Sequence, residues 1–495
     1  KMHRERTEKY PNYQSILSWG WNNGALGYDT KEDSQKSPRE ISKFKDAVKM
    51  AAAGGSHTLV LTEDKDNQTL WAVGQNQSGQ LGIGNELAQA QFVKVNLDDL
   101  EEWQNGDYII SIAAGDRHSG IVNSRGKVYT WGQNHNGQLA LGHKTSRNRP
   151  QLVKGLRTKS IVQVAFGARH SIFMSKTGRL FSAGQGMFGQ LGLGDHLDSL
   201  HPKLIDVQFR VTKVVCQEYT TLVLTSDYAV YGWGGRPYFE KDSVAMRNEN
   251  KMKLSATHPV LSSLSKFLNQ SIGMDADERS HKMQQLKDPI ALHTPRKLFH
   301  NLNGRRVIDI AVSSSYGMAL TSDGSIFVWG DQLTRAGYLK YIPIIFTRDS
   351  LNKDESEWAS KLNINVTDSK RVISNVEAQI QLYKVELGVP QNETITQIAC
   401  SEYCGYFITE NGELYSFGHA KYFEHGHQGE ECLIPKKVDL NGVYCAGLVT
   451  GCWHVLATSG SLVHQRSQHH LLPEQKLPKC VERLQLKMDS MLSNQ

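Results

Sequence analysis

The sequence predicts an all-β fold built by repeating one small sheet, and three observations carry that expectation. First, a seven-residue pattern recurs seven times: Ala-Ala-Gly-Gly-Ser-His-Thr at 52–58, Ala-Ala-Gly-Asp-Arg-His-Ser at 113–119, Ala-Phe-Gly-Ala-Arg-His-Ser at 165–171, and degenerate copies at 215–221, 311–317, 399–405 and 449–455. Its sixth column reads His57, His118, His170, Thr220, Tyr316, Cys404 and His454, with spacings by subtraction of 61, 52, 50, 96, 88 and 50 residues. A period near about 50, lengthened twice, marks a repeat architecture.

Second, a glycine closes a short apolar run between successive copies, at Gly20, Gly74, Gly132, Gly184, Gly234, Gly330 and Gly418. Three of these precede a related turn: Gly79-Gln80-Leu81-Gly82, Gly137-Gln138-Leu139-Ala140 and Gly189-Gln190-Leu191-Gly192. Third, the apolar runs between these marks are short, rich in Val, Ile, Leu and Trp, and bounded by Gly, Asn and Asp, which predicts strands joined by tight turns. Each repeat is then a sheet that cannot bury both faces alone.

The order of apolar run, Gly-x-x-His, strand, Trp-Gly and Gly-Gln-Leu-Gly-x-Gly resembles the regulator of chromosome condensation repeat. The resemblance covers about residues 15–458, strongly in the first four repeats and with wear in the fifth, sixth and seventh, and Thr220, Tyr316 and Cys404 replace the column histidine in the fourth, fifth and sixth copies. It implies a seven-bladed β-propeller. The chain ends agree: Ser18-Trp19-Gly20 begins with the second half of a repeat, and Leu448 to Thr458 ends with a first half. N- and C-terminal strands should therefore complete one blade, a closure that leaves only short sheet edges. The expected organisation is an N-terminal extension at 1–14, a propeller of four-stranded blades at 15–458 and a C-terminal tail at 459–495.

Length and composition fit, since radial folds accumulate small cores between neighbours and need no second globular domain at 495 residues. The 43 glycines suit a turn-rich chain. With 56 basic against 50 acidic residues, the net charge of +6 does not point to nucleic acid. Seven irregularly spaced cysteines argue for reduced thiols and an intracellular setting; cytoplasmic or cytoskeletal and ciliary placement is the expectation that goes with the resemblance, with mitochondrial and nuclear placement left open. No apolar stretch reaches the roughly 20 residues of a membrane span.

Several motifs invite over-reading. Gly184-Gln185-Gly186-Met187-Phe188-Gly189 spells a dinucleotide fingerprint, but Gln190-Leu191-Gly192-Leu193-Gly194 cannot open the helix that such chemistry needs. The column histidines belong to different blades, too far apart to share an ion through bonds of about 2 Å, and should instead fill half-buried corners and bond to backbone. His419, His425 and His427 read as an exposed polar loop rather than a metal site. No nucleophile elbow, phosphate loop or zincin helix is present, so no catalytic, cofactor-binding or metal residues are expected and the chain should not be an enzyme.

What individualises the chain is two insertions, at about 236–293 and 338–380, in adjacent blades. Insertions in repeat folds collect on one face, often the binding face. In the first, Thr257-His258-Pro259 precedes Val260, Leu261, Leu264, Phe267 and Leu268, which predicts a short amphipathic helix over 258–270. In the tail, Val481, Leu484, Met488, Met491 and Leu492 share the face of a second predicted helix. Leu261, Leu264, Phe267, Leu268, Leu484 and Met488 are the expected partner-binding residues.

The function expected is a non-catalytic scaffold or structural subunit that binds the other proteins of a multi-subunit assembly. The resemblance offers an alternative, guanine-nucleotide exchange on a small Ran-like GTPase, because the family's founding member acts on Ran through one face and a protruding wedge. That wedge motif is missing from the third-blade region, and Lys1, Arg4, Arg6 and Lys9 are interrupted by Glu5 and Glu8.

Overall fold

A computed structural model describes residues 16–28, 32–44, 48–64, 67–235, 292–300, 304–314, 316–329, 373–375, 380–385, 393–419, 421–429 and 431–459, with Leu302 and Leu387. Almost all regular structure in them is β-strand, the exception being one 3-10 turn at Lys154–Leu156. The strands form seven sheets.

Each blade runs from the axis outwards. The first contains Val48–Ala53, His57–Asp64, Asn67–Gly74 and Gln89–Lys94, and the second Ile109–Ala114, His118–Asn123, Val128–Gly132 and Arg147–Leu152. The third contains Ile161–Phe166, His170–Ser175, Leu180–Gly184 and Ser199–Leu204, and the fourth Val211–Gln217, Thr220–Thr225, Ala229–Gly234 and Leu292–His300. The sixth is Ile395–Cys400, Cys404–Thr409, Leu414–His419 and Glu431–Lys437.

The fifth blade departs from the expected four strands. Outside Val307–Val312, Gly317–Thr321, Ile326–Trp329 and Ile380–Lys384 it carries a fifth strand, Ile373–Asn375, which pairs antiparallel with Ile380–Lys384. The second insertion as bounded from the sequence therefore ends inside the sheet, because a second pass of chain beside Ile380–Lys384 satisfies an otherwise free edge. The first insertion likewise ends earlier than expected, at the strand starting with Leu292.

The closing blade is composite as expected, with Ile16–Trp21 lying between Ser34–Glu40 and His454–Thr458, and Gly447–Thr450 innermost. Strand Ile16–Trp21 thus takes hydrogen bonds on both sides, one of them to the far end of the chain.

Burial lies between blades rather than within them. Seven apolar clusters are present among the described residues, and each joins two neighbours: Leu59, Leu61 and Ala72 of the first blade meet Ile112, Ile121 and Trp131 of the second, and the pattern continues to Ile16 and Leu456 of the closing blade against Val60 and Val73 of the first. Trp19, Trp131, Trp233 and Trp329 are the largest fully buried side chains. The glycine after the first three of these, Gly20, Gly132 and Gly234, is a conformational requirement. Gly132 has φ 102°, and a Cβ there would stand 2.6 Å from the Arg117 carbonyl oxygen.

The column histidines are the polar joints of this ring. His57 Nε2 lies 2.7 Å from Ser119 Oγ in the next blade, His118 Nε2 2.9 Å from Ser171 Oγ, and His454 Nε2 2.9 Å from Thr58 Oγ1. In every case the partner is the hydroxyl residue that follows the next column position. That hydroxyl donates onward to a turn carbonyl: Ser119 to Gln80 at 2.8 Å, Ser171 to Gln138 at 2.7 Å and Thr58 to Ala25 at 2.9 Å. Its one proton being used there, the hydroxyl accepts from an Nε2–H imidazole. The structure thus corrects the partner from backbone to side chain, and the burial from half to complete.

The three worn junctions changed on both sides together. Opposite Thr220, Tyr316 and Cys404 stand Gly317, Gly405 and Val455, none with a hydroxyl to accept, and Thr220 Oγ1 instead donates within its own blade to Gly235 O at 3.0 Å. Phe417 fills the space at Gly405, where a Cβ would come within 2.3 Å of the ring.

Candidate functional site

The Gly-x-x-His segments form the loops that join each blade's innermost strand to the next, and all seven open on one end of the ring, here the loop face. Small residues begin all of them but the fourth, which opens on Gln217, because the backbones touch. A Cβ at Gly54 would lie 2.3 Å from the Gly115 carbonyl oxygen, and one at Gly451 2.4 Å from that of Gly54. Amides continue the ring: Gly55 N–H donates to Gly115 O at 3.1 Å, Ala168 to Glu218 O at 2.8 Å, and Glu402 to Cys452 O at 3.2 Å.

Held this way, the second and third loop positions point their side chains at the axis and the surface. Asp116, Glu218 and Glu402 are the acidic ones. Desolvation between the loops raises all three above the usual carboxylate range, opposed at Asp116 by Arg117 and Arg169 and at Glu402 by a hydrogen bond from Ser314. Glu218 reaches about 7, with the Glu402 and Asp116 charges adding to desolvation. Glu218 thus feels the charge of both other acids. Gln217 Nε2 reaches across the channel to Cys452 Sγ, 3.4 Å away in the closing blade.

Aromatic side chains flank this mouth. Trp21 stacks on Tyr422 at 5.3 Å, Tyr422 meets Trp453 edge-on at 5.6 Å, Trp453 meets Tyr403 at 6.0 Å, and Phe188 packs on Tyr219 at 4.7 Å. All six are half-buried. On the other side of the mouth the third positions are the exposed Arg117 and Arg169. The arrangement offers charge and aromatic area, and burial pushes the nearby Cys452 and Cys216 thiols up to about 12, far from thiolate at neutral pH.

Both insertions leave from this face. The first departs after Gly235, whose N–H bonds to Tyr219 O at 3.1 Å, and returns at Leu292, which pairs with Gly234. The second departs after Trp329, paired with Gly317. In other blades these two sites hold the Gly-Gln-Leu-Gly turn.

Leu261, Leu264, Phe267, Leu268, Leu484 and Met488 lie outside the described residues, as do both expected helices. The Gly184–Gly189 fingerprint sits in the turn between two strands, without a helix after it. Among the described residues no cluster of His, Cys, Asp and Glu has the grouping of a metal site, and no helix is long and apolar enough to cross a membrane. His425 is not in an exposed loop. It is fully buried, at the position of Leu81, Leu139 and Leu191 in the sister turns.

Two turns escaped the sequence reading. Gly24-Ala25-Leu26-Gly27 is a fourth copy of the glycine turn, legible from its Gly-x-Leu-Gly letters although it follows Gly20 one residue sooner than the others follow their glycines. Phe423-Glu424-His425-Gly426 is a fifth, disguised because Phe423 takes the left-handed φ of 61° that glycine supplies elsewhere.

A family model described as the RCC1-like domain matches residues 15–265, just over half of the chain. The chain belongs to the RCC1-like domain family. This RCC1-like propeller is 29% identical over 335 residues to the human E3 ubiquitin-protein ligase HERC2, covering 64% of its own length and 7% of HERC2. It is 28% identical over 319 residues to the Arabidopsis thaliana ultraviolet-B receptor UVR8, covering 64% of itself and 60% of UVR8. Among solved structures, Saccharomyces cerevisiae Prp20p matches with a TM-score of 0.64 at 18% identity, over 96% of this chain and 98% of Prp20p.

Proposed function

We propose that this propeller is a non-catalytic protein-interaction module, a scaffold or structural subunit, that recognises its partners through the loop face. The observation that carries the reading is convergence: the acidic mouth, the aromatic patch and the exits of both insertions share one end of the ring. Interfaces are enriched in the aromatic anchors and arginines found here, with charge kept to the rim. Because Asp116, Glu218 and Glu402 are crowded together, a cationic group of the partner seated between them relieves their repulsion, so the partner is expected to present Lys or Arg. In this reading the propeller spans 15–458, and Leu261, Leu264, Phe267 and Leu268 in the first insertion, with Leu484 and Met488 in the tail, are further partner-binding residues.

The test is affinity capture from native extract with the intact chain, with Glu218→Arg/Glu402→Arg, and with Arg179→Glu on the opposite end. The partner should be lost with the first variant and retained with the second; the reverse pattern would refute the assignment. Regulation of a small GTPase, drawn from the likeness to a protein described with its binding to Gsp1p, is the reading to adopt if the chain accelerates release of labelled nucleotide from such a GTPase.

A further inference from the structure

Three buried tryptophans address the turn of the preceding blade through the indole N–H. Trp131 Nε1 donates to Gln80 O at 2.9 Å, Trp233 Nε1 to Gln190 O at 3.0 Å and Trp19 Nε1 to Glu424 O at 2.6 Å. The two glutamine carbonyls accept a second donor, Ser119 Oγ at 2.8 Å and Thr221 Oγ1 at 3.2 Å. Trp329 holds the same place in the fifth blade, since it pairs with Gly317 as Trp131 pairs with Ser119 and Trp233 with Thr221. It is 0% exposed, yet its Nε1 has no acceptor among the described residues.

The turn that Trp329 faces belongs to the fourth blade, between Gly234 and Leu292, where the first insertion stands in place of the sister turn. Gly317 has no hydroxyl, so the indole is the one donor of the pair kept at this junction. A fully buried N–H without an acceptor is costly, and the great majority of such groups are satisfied. The next junction differs. There the second insertion replaces the turn and both donors are gone, with Gly405 standing for the hydroxyl residue and Phe417 for the tryptophan. An indole N–H at the first insertion and none at the second points to a carbonyl supplied by the first.

That insertion holds one Gln-Leu pair, Gln285-Leu286, close to its return to the ring. By subtraction, the turn glutamine of the first three blades comes nine residues before the partner of the strand-end glycine: Gln80 before Gln89, Gln138 before Arg147 and Gln190 before Ser199. Glu424 comes eight before Cys432, and Gln285 seven before Leu292. Leu81, Leu139 and Leu191, which follow the glutamines, are fully buried, and Leu81 shares one cluster with Trp131. Among the described residues the cluster around Trp329 contains no turn leucine.

We propose that Gln285-Leu286 rebuild the fourth blade's turn against the fifth: the Gln285 carbonyl accepts Trp329 Nε1–H, and Leu286 fills the apolar place that Leu81 fills beside Trp131. The first insertion is then tied to the ring at its returning end as well as at Gly235. What it offers a partner is the span between, which includes Leu261, Leu264, Phe267 and Leu268.

Heteronuclear NMR of the indole N–H groups in the intact chain tests this, with Trp329→Phe assigning the Trp329 signal. Its N–H should exchange as slowly as those of Trp131 and Trp233 and share their hydrogen-bonded downfield shift. Leu286→Asp should speed exchange at Trp329 by at least about tenfold and move its signal upfield, with Trp131 and Trp233 unaltered as the sign of an intact ring. Two excisions bridged by Gly/Ser linkers decide the matter if that variant fails to fold: removing 240–280 should keep the protection, and removing 240–290 should abolish it. A fast-exchanging Trp329 in the intact chain would overturn the proposal, including one that becomes protected only when native extract supplies a partner. So would protection that survives Leu286→Asp or the longer excision, or that the shorter excision removes.

Discussion

His170 Nε2 of the third blade lies 3.0 Å from Thr221 Oγ1 of the fourth, and Thr221 Oγ1 lies 3.2 Å from the Gln190 carbonyl oxygen, which also accepts Trp233 Nε1 at 3.0 Å. One relay therefore binds a loop, a strand and a turn from two blades. Each bond polarises the next in this dry setting.

Removing its origin should be costly. His170→Ala deletes the imidazole from a fully buried site and leaves a cavity, so a loss of about 2–4 kcal/mol is expected in denaturant unfolding. Acid should act on the same joints. Burial holds His57, His118 and His170 down at about 3 and His454 at about 4, all below the ordinary 6.5. Their stabilisation is complete above 6.5 and is lost as pH falls towards those values. Unfolding midpoints should drop between pH 6.5 and 5, less steeply in His170→Gln than in the wild type; an equal slope would place the acid sensitivity elsewhere.

The worn junctions give the opposite expectation for restoring the motif. Gly405 stands where the polar junctions carry a hydroxyl, yet Phe417 occupies the space a side chain would need. Gly405→Ser should destabilise by about 1–3 kcal/mol through overpacking rather than rebuild a joint with Tyr316. A melting temperature at or above wild type would show that the ring of Phe417 can move aside.

The ring was legible because its determinants are local: a glycine forced to positive φ after Trp131, a histidine in a fixed column, and half-motifs around Trp19 and His454 that only closure can join. The hydroxyl partners Ser119, Ser171 and Thr221 stood one residue past the column, but their role depends on a neighbour some 50 residues away, a contact that periodicity alone does not reveal. Glu424 was hidden for another reason. Phe423 at a glycine position and His425 at a leucine position erase the turn's signature, and only the backbone shows that the same turn is made. The loop face combines side chains from seven distant segments, so Glu218 and Glu402 become neighbours only once the ring has closed.

The central claim, recognition through the loop face, is tested most directly by placing a photo-crosslinking phenylalanine analogue at Tyr219 or Tyr403 on that face, and at Tyr108 or Tyr228 on the opposite one. After irradiation in native extract, the partner should form adducts from Tyr219 and Tyr403 and none from the other pair. Adducts confined to Tyr108 and Tyr228 would contradict the account and move recognition to the opposite end of the ring.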